Sequence, residues 1–123
     1  MIDIVLVIAG GGAGSLSRYL VSLSAGRLFG DGFAWGTMIV NLLGCLLIGF
    51  LVGLLDRSVL PRAMRLLLVT GFLGGFTTFS SFALESVRMF MGGNPGKGAL
   101  NLGINVIAGF ALTMAGLYTA TKL

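Results

Sequence analysis

Four long apolar runs separated by short polar segments dominate the sequence. The uncharged runs cover residues 4–17, 32–55, 66–84 and 98–121, and the first extends to residue 26 if Arg18 is tolerated. A membrane-spanning helix needs about 20 mostly apolar residues. The pattern therefore predicts an all-α membrane protein whose single transmembrane domain, residues 1–123, has four transmembrane helices, over about 4–26, 33–55, 64–90 and 98–121.

The composition supports a membrane protein and narrows the possible chemistry. Of the 123 residues, 56% are hydrophobic and 10% are charged, whereas soluble domains carry about a quarter charged residues. The formal charge is +4, but the eight basic residues are scattered between apolar runs, so no nucleic-acid partner is expected. The chain has no histidine and one cysteine, Cys45, inside an apolar run. This excludes metal sites built on His or Cys clusters and favours a packing role for Cys45.

The connections between the runs are short, and the charges around them are balanced. Gly, Asp, Asn and Pro mark the connections at 26–32, 56–61 and 92–96. Asp3 stands where a cleavable signal would be positive, so the first run is expected to stay in the mature protein. Membrane proteins place more Lys and Arg in cytoplasmic loops. One side of the chain has Arg57, Arg62, Arg65 and Lys122, and the other has Arg18, Arg27, Arg88 and Lys97.

This four-to-four balance gives the chain no preferred orientation. We therefore expect two oppositely oriented copies to insert and to pair as an antiparallel homodimer. Four helices of this length are too few to enclose a hydrated pathway, so a transport route would use the dimer interface. Close helix approach is predicted at four pairs of small residues spaced four apart: Gly10/Gly14, Gly49/Gly53, Gly71/Gly75 and Ala111/Ala115.

The third run contains the densest signal, the segment TGFLGGFTTFSSF at residues 70–82. Glycine costs about 1 kcal/mol against alanine inside a helix. Irregular backbone at membrane depth is tolerated only where protein buries it or where water or ions reach it. The segment therefore predicts a break in the third helix near residues 74–78, where freed carbonyls could bind a cation and a half-helix N-terminus could face an anion. The alternative is an intact helix whose glycines serve packing.

Two phenylalanines follow this segment at a spacing of three. Phe79 and Phe82 should project from one helix face, with the hydroxyls of Ser80 and Ser81 beside them. The edge of an aromatic ring carries the positive part of its quadrupole, so two rings turned edge-on could accept an anion. The alternative is that both rings are packing residues.

Single polar residues in the second and first runs are further candidates. Asn41 is a lone amide among aliphatic residues and needs a partner in hydrocarbon, either another helix or a passing anion. Thr37 lies four residues earlier and shares its face. Arg18 either extends to the lipid headgroups or attracts anions.

Glu85 is the one acidic residue within or next to the third run. Its carboxylate has three alternatives: it caps a polar track, pairs with Arg88 at a spacing of three, or reaches the membrane interface.

Three segments together resemble one known family. GGGAGSLSRY at 10–19, GTMIVNLLG at 36–44 and GFLGGFTTFSSF at 71–82 resemble the Fluc (CrcB-like) family of fluoride channels in order, spacing and chain length. The resemblance covers the first three predicted helices. It implies passive fluoride export that relieves fluoride toxicity, by a multi-pass protein of the prokaryotic plasma or inner membrane.

The resemblance also implies an assembly and residue roles. The expected assembly is an antiparallel dual-topology homodimer in the lipid bilayer, with two fluoride pathways and a structural sodium ion at its centre. The carbonyls of Gly74 and Thr77 from both copies would bind sodium, and Phe79 and Phe82 would form an aromatic box along fluoride. The other implied pathway residues are Asn41, Ser80 and Ser81, with Arg18 toward a vestibule; Thr37, on the face of Asn41, joins these candidates.

The chain departs from the family pattern at a few positions. Ser15 stands where the family often has alanine, and Met38 where leucine is usual. In the fourth run some relatives carry a serine near the pathway, whereas this chain has Ala108 and Gly109, with Asn105 one turn earlier. Which fourth-helix residue lines the pathway stays open.

Two other functions compete with a fluoride channel. A small multidrug exporter shares the four helices but needs a carboxylate within its first span, where this chain has only Asp3 at the very end. A non-transporting assembly subunit would use its glycines and polar residues for packing alone. The sequence contains no nucleophile, metal-ligand set or cofactor motif that indicates an enzyme, so catalysis is not expected.

Overall fold

The computed structural model describes residues 1–57 and 59–123, and their regular structure is helical. Ser58, in the predicted connection 56–61, lies outside the described residues. Four helices are long and apolar enough to cross a membrane, which confirms the prediction of an all-α protein with four candidate spans. We call them the first to fourth spans: Ile2–Phe29, Trp35–Asp56, Arg62–Met91 and Pro95–Thr121.

The third span has two halves on either side of Thr77 and Thr78. Both residues have extended backbone angles, with φ −84° and ψ 157° at Thr77 and φ −151° and ψ 115° at Thr78. The N-terminal half covers residues 62–76 and includes a π-helix, while the C-terminal half is one regular α-helix. The helical segments are Arg62–Met64, the π-helix Arg65–Leu73, Gly74–Phe76 and Phe79–Met91.

The fourth span also contains a π-helical segment, but it continues through it. Its backbone stays right-handed helical at both ends of that segment, at Gly103 and Gly109. Its parts are the α-helix Pro95–Gly103, the π-helix Ile104–Ala108 and the α-helix Gly109–Thr121. Proline at the first helical position suits this start, because its missing N–H would have no helical partner there.

Glycines bring the first span against the N-terminal half of the third span. A Cβ at Gly14 would overlap the carbonyl oxygen of Phe72, and a Cβ at Gly10 would overlap that of Leu67. From the other side, a Cβ at Gly71 would lie 3.0 Å from the Cα of Gly10. The two backbones therefore touch directly, as the small-residue pairs predict.

The second span packs mainly on the fourth span by the same means. A Cβ at Gly49 would overlap the carbonyl oxygen of Thr113, and a Cβ at Gly53 would lie 2.6 Å from the Cβ of Ala120. The expectation for Ala111 and Ala115 is wrong for the described protomer, because both residues are exposed. The buried small residues of this helix are Gly109, Gly116 and Ala120, which occupy a different face.

The buried core is small, and much of the apolar surface faces outward. Val40, Leu73 and Phe76 form a buried cluster between the second and third spans. Large apolar side chains such as Ile8 and Phe110 are exposed. This is the reverse of a soluble domain and is typical of helices that contact lipid or another protein.

Polar contacts join the connections and termini at each of the two ends of the helix bundle. At one end, the Arg57 guanidinium donates to the Ala120 carbonyl at 2.7 Å, and Arg62 forms an ion pair with Asp3 at 2.8 Å. At the other, the Lys97 ammonium donates to the Gly32 carbonyl at 2.9 Å. The basic residues in these contacts are thus grouped as in the charge count.

Candidate functional site

An open groove of about 510 Å³ runs along one side of the protomer, between the second, third and fourth spans. Its walls are mainly apolar, with a few amide, hydroxyl and backbone groups exposed in it. Five of the residues predicted from the sequence line it: Asn41, Gly74, Thr77, Phe79 and Phe82.

Asn41 pairs with the backbone of Thr78. Its Oδ1 accepts from the Thr78 N–H at 2.9 Å, and its Nδ2 donates to the Thr78 carbonyl at 3.1 Å. An extended residue presents its N–H and C=O to the same side, so a side-chain amide can bind both in the way that a neighbouring strand would. The partner that Asn41 needs within the apolar span is therefore the irregular backbone of the third span.

This pairing changes the hydrogen bonds of the carbonyls before it. In an unbroken α-helix the Gly74 carbonyl would accept from the Thr78 N–H, and the Thr77 carbonyl from the Ser81 N–H. Here the Thr78 N–H donates to Asn41, and the Ser81 N–H donates to the Thr78 hydroxyl at 3.2 Å. Both carbonyls thus lose their helical partners. Gly74 is exposed, and a Cβ added there would meet nothing within 4 Å.

The Thr78 hydroxyl caps the C-terminal half of the third span. A threonine before the first helical residue commonly satisfies an N–H of the first turn, as the bond from Ser81 does here. The same hydroxyl donates to the Ser81 hydroxyl at 3.1 Å and lies 3.5 Å from that of Ser80. Three hydroxyls therefore cluster at the start of this half, and Ser80 is exposed.

Phe79 and Phe82 lie together but differ in environment. Their ring centroids are 5.6 Å apart at an interplanar angle of 64°, so the edge of one ring faces the other. Phe82 is 6% exposed, whereas Phe79 is 78% exposed at the open side of the groove. Because the Phe79 ring is exposed, its positive edge can face the groove.

A second polar contact lies between Thr37 and Glu85. The Thr37 hydroxyl donates to Glu85 Oε1 at 2.9 Å, and Thr37 is itself buried. Within residues 1–57 and 59–123, the other carboxylate oxygen, Oε2, is buried without a hydrogen-bond partner, and no ion pair joins Glu85 to Arg88. Of the three alternatives for Glu85, this arrangement favours the polar track.

Arg18 is separate from the groove. It is half-buried and lies 11 positions before the end of the first span at Phe29, which is about 16 Å of helix. The uncharged run ends just before Arg18, but the helix does not, so Arg18 lies deeper in its helix than the run suggests. Its guanidinium makes no hydrogen bond or ion pair within the described part of the chain.

On the fourth span, sequence reasoning names Asn105 as an open candidate but misses Asn101. Asn101 is fully buried, and Asn105 lines the groove and accepts from Asn41 at 3.3 Å. Two asparagines four residues apart in an apolar run are the signal that identifies them, because each needs a partner there. Gly109, another fourth-span candidate, lies against Cys45, because a Cβ added to Gly109 would lie 3.2 Å from the Cys45 sulfur.

Comparison with known proteins gives a consistent result over nearly the whole chain. The family model described as CrcB-like protein, Camphor Resistance (CrcB), matches residues 5–117. A protein of Agrobacterium fabrum named fluoride-specific ion channel FluC is 48% identical over 124 aligned positions, which cover 100% of this chain and 99% of the relative. A protein of the same name from Maridesulfovibrio salexigens is 47% identical over 112 positions, 90% of this chain and 89% of the relative.

A more distant relative has a nearly identical name. The fluoride-specific ion channel FluC 1 of Nitrobacter hamburgensis is 41% identical over 115 positions, 93% of this chain and 91% of the relative. Because the family model matches from the first span into the last, and relatives of similar length have this identity, the chain belongs to the CrcB-like family.

Proposed function

We propose that this protein is a fluoride-specific ion channel of a prokaryotic membrane that lets fluoride leave the cell passively and so relieves fluoride toxicity. The observation that carries the proposal is the match of the whole chain to proteins named as such channels. The structure supports it with a groove whose few polar groups adjoin an exposed aromatic ring.

The physical problem is to replace the water around a small anion. Moving an isolated ion into a low-dielectric medium costs tens of kcal/mol, so donors must take over from water. The hydroxyls of Ser80 and Ser81 and the ring edges of Phe79 and Phe82 are the donors that this half-helix offers. None of them is a fixed cation that would trap the ion, and conduction requires binding that also releases.

The remaining pathway candidates have different positions. We assign Thr37 and Glu85 to a polar track beside the C-terminal half of the third span, because they are hydrogen-bonded to each other. Arg18 is assigned to a vestibule outside the groove, where its charge raises the local anion concentration. Asn41 is assigned to the pathway wall, where its amide bonds to Thr78.

We propose that the working unit is an antiparallel, dual-topology homodimer with two fluoride pathways. One protomer leaves the groove open, with Phe79 and Phe110 78% and 72% exposed. A second copy in the opposite orientation would cover this surface, and the four-to-four charge count allows either orientation. Cysteine scanning tests the topology: single cysteines at Asp31 and at Asn94, in a Cys45→Ser background, should be labelled from both sides of the membrane. Labelling from one side alone would contradict it.

We further propose that a sodium ion lies where the third spans of the two copies meet. The donor set fits, because Gly74 and Thr77 each have a carbonyl without its helical partner, and the proposed dimer would bring four such oxygens together. Carbonyl oxygens suit hard cations. The ion would hold the two irregular backbones against each other and balance their carbonyl dipoles.

Flux from reconstituted liposomes tests the main proposal. Purified protein in liposomes loaded with potassium fluoride should release fluoride rapidly once valinomycin lets potassium leave, because the path passes the anion without a coupled ion. Matched liposomes loaded with potassium chloride, and liposomes without protein, should release little. Comparable chloride release would contradict selectivity, and proton-driven uptake of a cationic drug without fluoride release would favour the exporter.

A further inference from the structure

A series of hydrogen-bonded side chains, which we call the hydrogen-bond chain, runs from Thr78 through the second and fourth spans. It returns to the third span at Phe82, one helical turn after Thr78. Asn41 Nδ2 donates to Asn105 Oδ1 at 3.3 Å, and Asn105 Nδ2 donates to the carbonyl and to Oδ1 of Asn101 at 2.9 and 3.1 Å. Asn101 Nδ2 donates to the Ser86 hydroxyl at 2.9 Å. The Ser86 hydroxyl donates to the Phe82 carbonyl at 2.8 Å.

All donors of the hydrogen-bond chain donate in one direction, from Asn41 toward Phe82. A side-chain amide has two N–H groups. Asn41 uses them on the Thr78 carbonyl and on Asn105, and Asn105 uses its own on two acceptors of Asn101. The amide orientations are therefore fixed by one another, and reversing one would set carbonyl against carbonyl or N–H against N–H at the next contact.

The hydrogen-bond chain starts and ends on the same short stretch of backbone in the third span. It begins at Thr78, whose N–H and C=O both bond to Asn41, and it ends at the Phe82 carbonyl, one turn later. The residues between these points include Phe79 and both serines of the proposed pathway. Asn101 is 0% exposed and Ser86 is 2% exposed, so the Asn101–Ser86 part of this path is shielded from solvent, and hydrogen bonds there are stronger than in water.

Asn105 is the link that connects the second and fourth spans. It lies in the π-helical segment Ile104–Ala108, and π-bulges in helices often occur at functional sites. We propose that Asn105 is a positioning residue of the channel: it fixes the amide of Asn41, which in turn holds the Thr78 peptide groups and the first turn carrying Phe79. This inference rests on the proposed fluoride function, and it assigns Asn105 no contact with the ion.

The test combines two measurements on the full-length protein. Asn105→Leu keeps the branched shape of the side chain and removes its hydrogen bonds, and Asn105→Ser leaves a hydroxyl too short to reach Asn41. Thr119→Val is the matched control on the same span, because the Thr119 hydroxyl donates to the Gly116 carbonyl of its own helix and Thr119 lies outside the groove. Fluoride release from liposomes measures conduction, and residue-resolved amide hydrogen exchange in detergent measures the Thr78 N–H.

Both Asn105 variants should remain dimeric, exchange the Thr78 amide at least about tenfold faster and release fluoride at least about tenfold more slowly, while Thr119→Val matches the wild type on both. Asn105→Ser keeps the test decisive if Asn105→Leu does not fold. Slower flux with unchanged exchange at Thr78 would show direct action on the ion and overturn the positioning role. Faster exchange with flux within about twofold of the wild type would overturn it too.

Failure of the proposed function gives a different result. A folded wild-type protein that releases no fluoride contradicts the channel itself. The exchange measurement still decides whether Asn105 holds Thr78: faster exchange in both variants supports the hydrogen-bond chain, and unchanged exchange overturns it.

Discussion

Gly74 and Gly75 are neighbours in the sequence, yet they lie in opposite environments. A Cβ at Gly75 would overlap the carbonyl oxygen of Gly11 in the first span, whereas a Cβ at Gly74 would meet nothing within 4 Å. One side of the third span is therefore filled by backbone contact, and the other is open. The packed side determines the protomer fold, and the open side is available for the chemistry and for a second copy.

The largest expected effect comes from the packed side. Gly14→Ala places a methyl group on the Phe72 carbonyl, and neither backbone can move away without separating the two spans. Overpacking of this kind costs about 1–3 kcal/mol or more. We expect the yield of monodisperse protein, measured by size-exclusion chromatography, to fall by about tenfold or more.

Gly74→Ala is the matched control for this prediction, since it makes the same chemical change on the open side. It should leave the helical content and the thermal unfolding of the protomer near those of the wild type. Equal loss of folded protein in both variants would contradict the distinction between the two sides.

The sequence could predict the packed side better than the open side. Apolar runs of membrane length and glycines four apart depend on local sequence, so four candidate spans and the Gly10 and Gly14 contacts follow from it. Ala111 and Ala115 have the same spacing but are exposed, because the helix face that packs is chosen by the neighbouring span. Spacing identifies residues that share a face, but it does not identify the partner.

For the open side, the sequence predicts which residues take part but not how they are arranged. A break near residues 74–78 follows from the glycines and hydroxyls, but the pairing of Asn41 with Thr78 joins positions 37 residues apart. The connection through Asn105 and Asn101 to Ser86 depends on which way two other helices face. Long-range polar contacts of this kind need the packed structure first.

Removal of sodium should have the second largest effect. The effect should be on fluoride flux, because the proposed sodium ligands lie on the open side. Protein purified and assayed with N-methylglucamine in place of sodium should lose most of its fluoride flux, because in the proposed dimer the carbonyls of Gly74 and Thr77 would then face each other without a cation. Readdition of sodium should restore it, whereas the potassium already present in the liposome assay should not. Unchanged flux without sodium, with no cation density at the dimer axis of a crystal structure, would contradict the site.

Phe79→Ile and Phe82→Ile test the aromatic pair on the open side. Isoleucine keeps apolar bulk and removes the ring edge, so fluoride release should fall by about tenfold or more in each while the dimer persists. Phe82→Ile should also lower the unfolding free energy by about 1 kcal/mol, because Phe82 is buried and Phe79 is exposed.

Phe90→Ile, on the same half-helix but outside the groove, is the control for the aromatic pair. It should leave fluoride release near that of the wild type. Near-normal flux in both pair variants, or flux that falls only in step with lost dimer, would show that the rings are packing residues.

The smallest effect is expected at Thr77, where the two sides meet. Its hydroxyl donates to the Leu73 carbonyl at 2.9 Å, its methyl group contacts Gly44, and its carbonyl is the proposed sodium ligand. Thr77→Ser removes only the methyl group, which should lower the unfolding free energy by about 1 kcal/mol. Fluoride flux and its sodium dependence should stay within about twofold of the wild type, because backbone oxygens are unchanged. A loss of sodium dependence in Thr77→Ser, measured in the same liposome assay, would mean that the side chain and not the carbonyl determines cation binding.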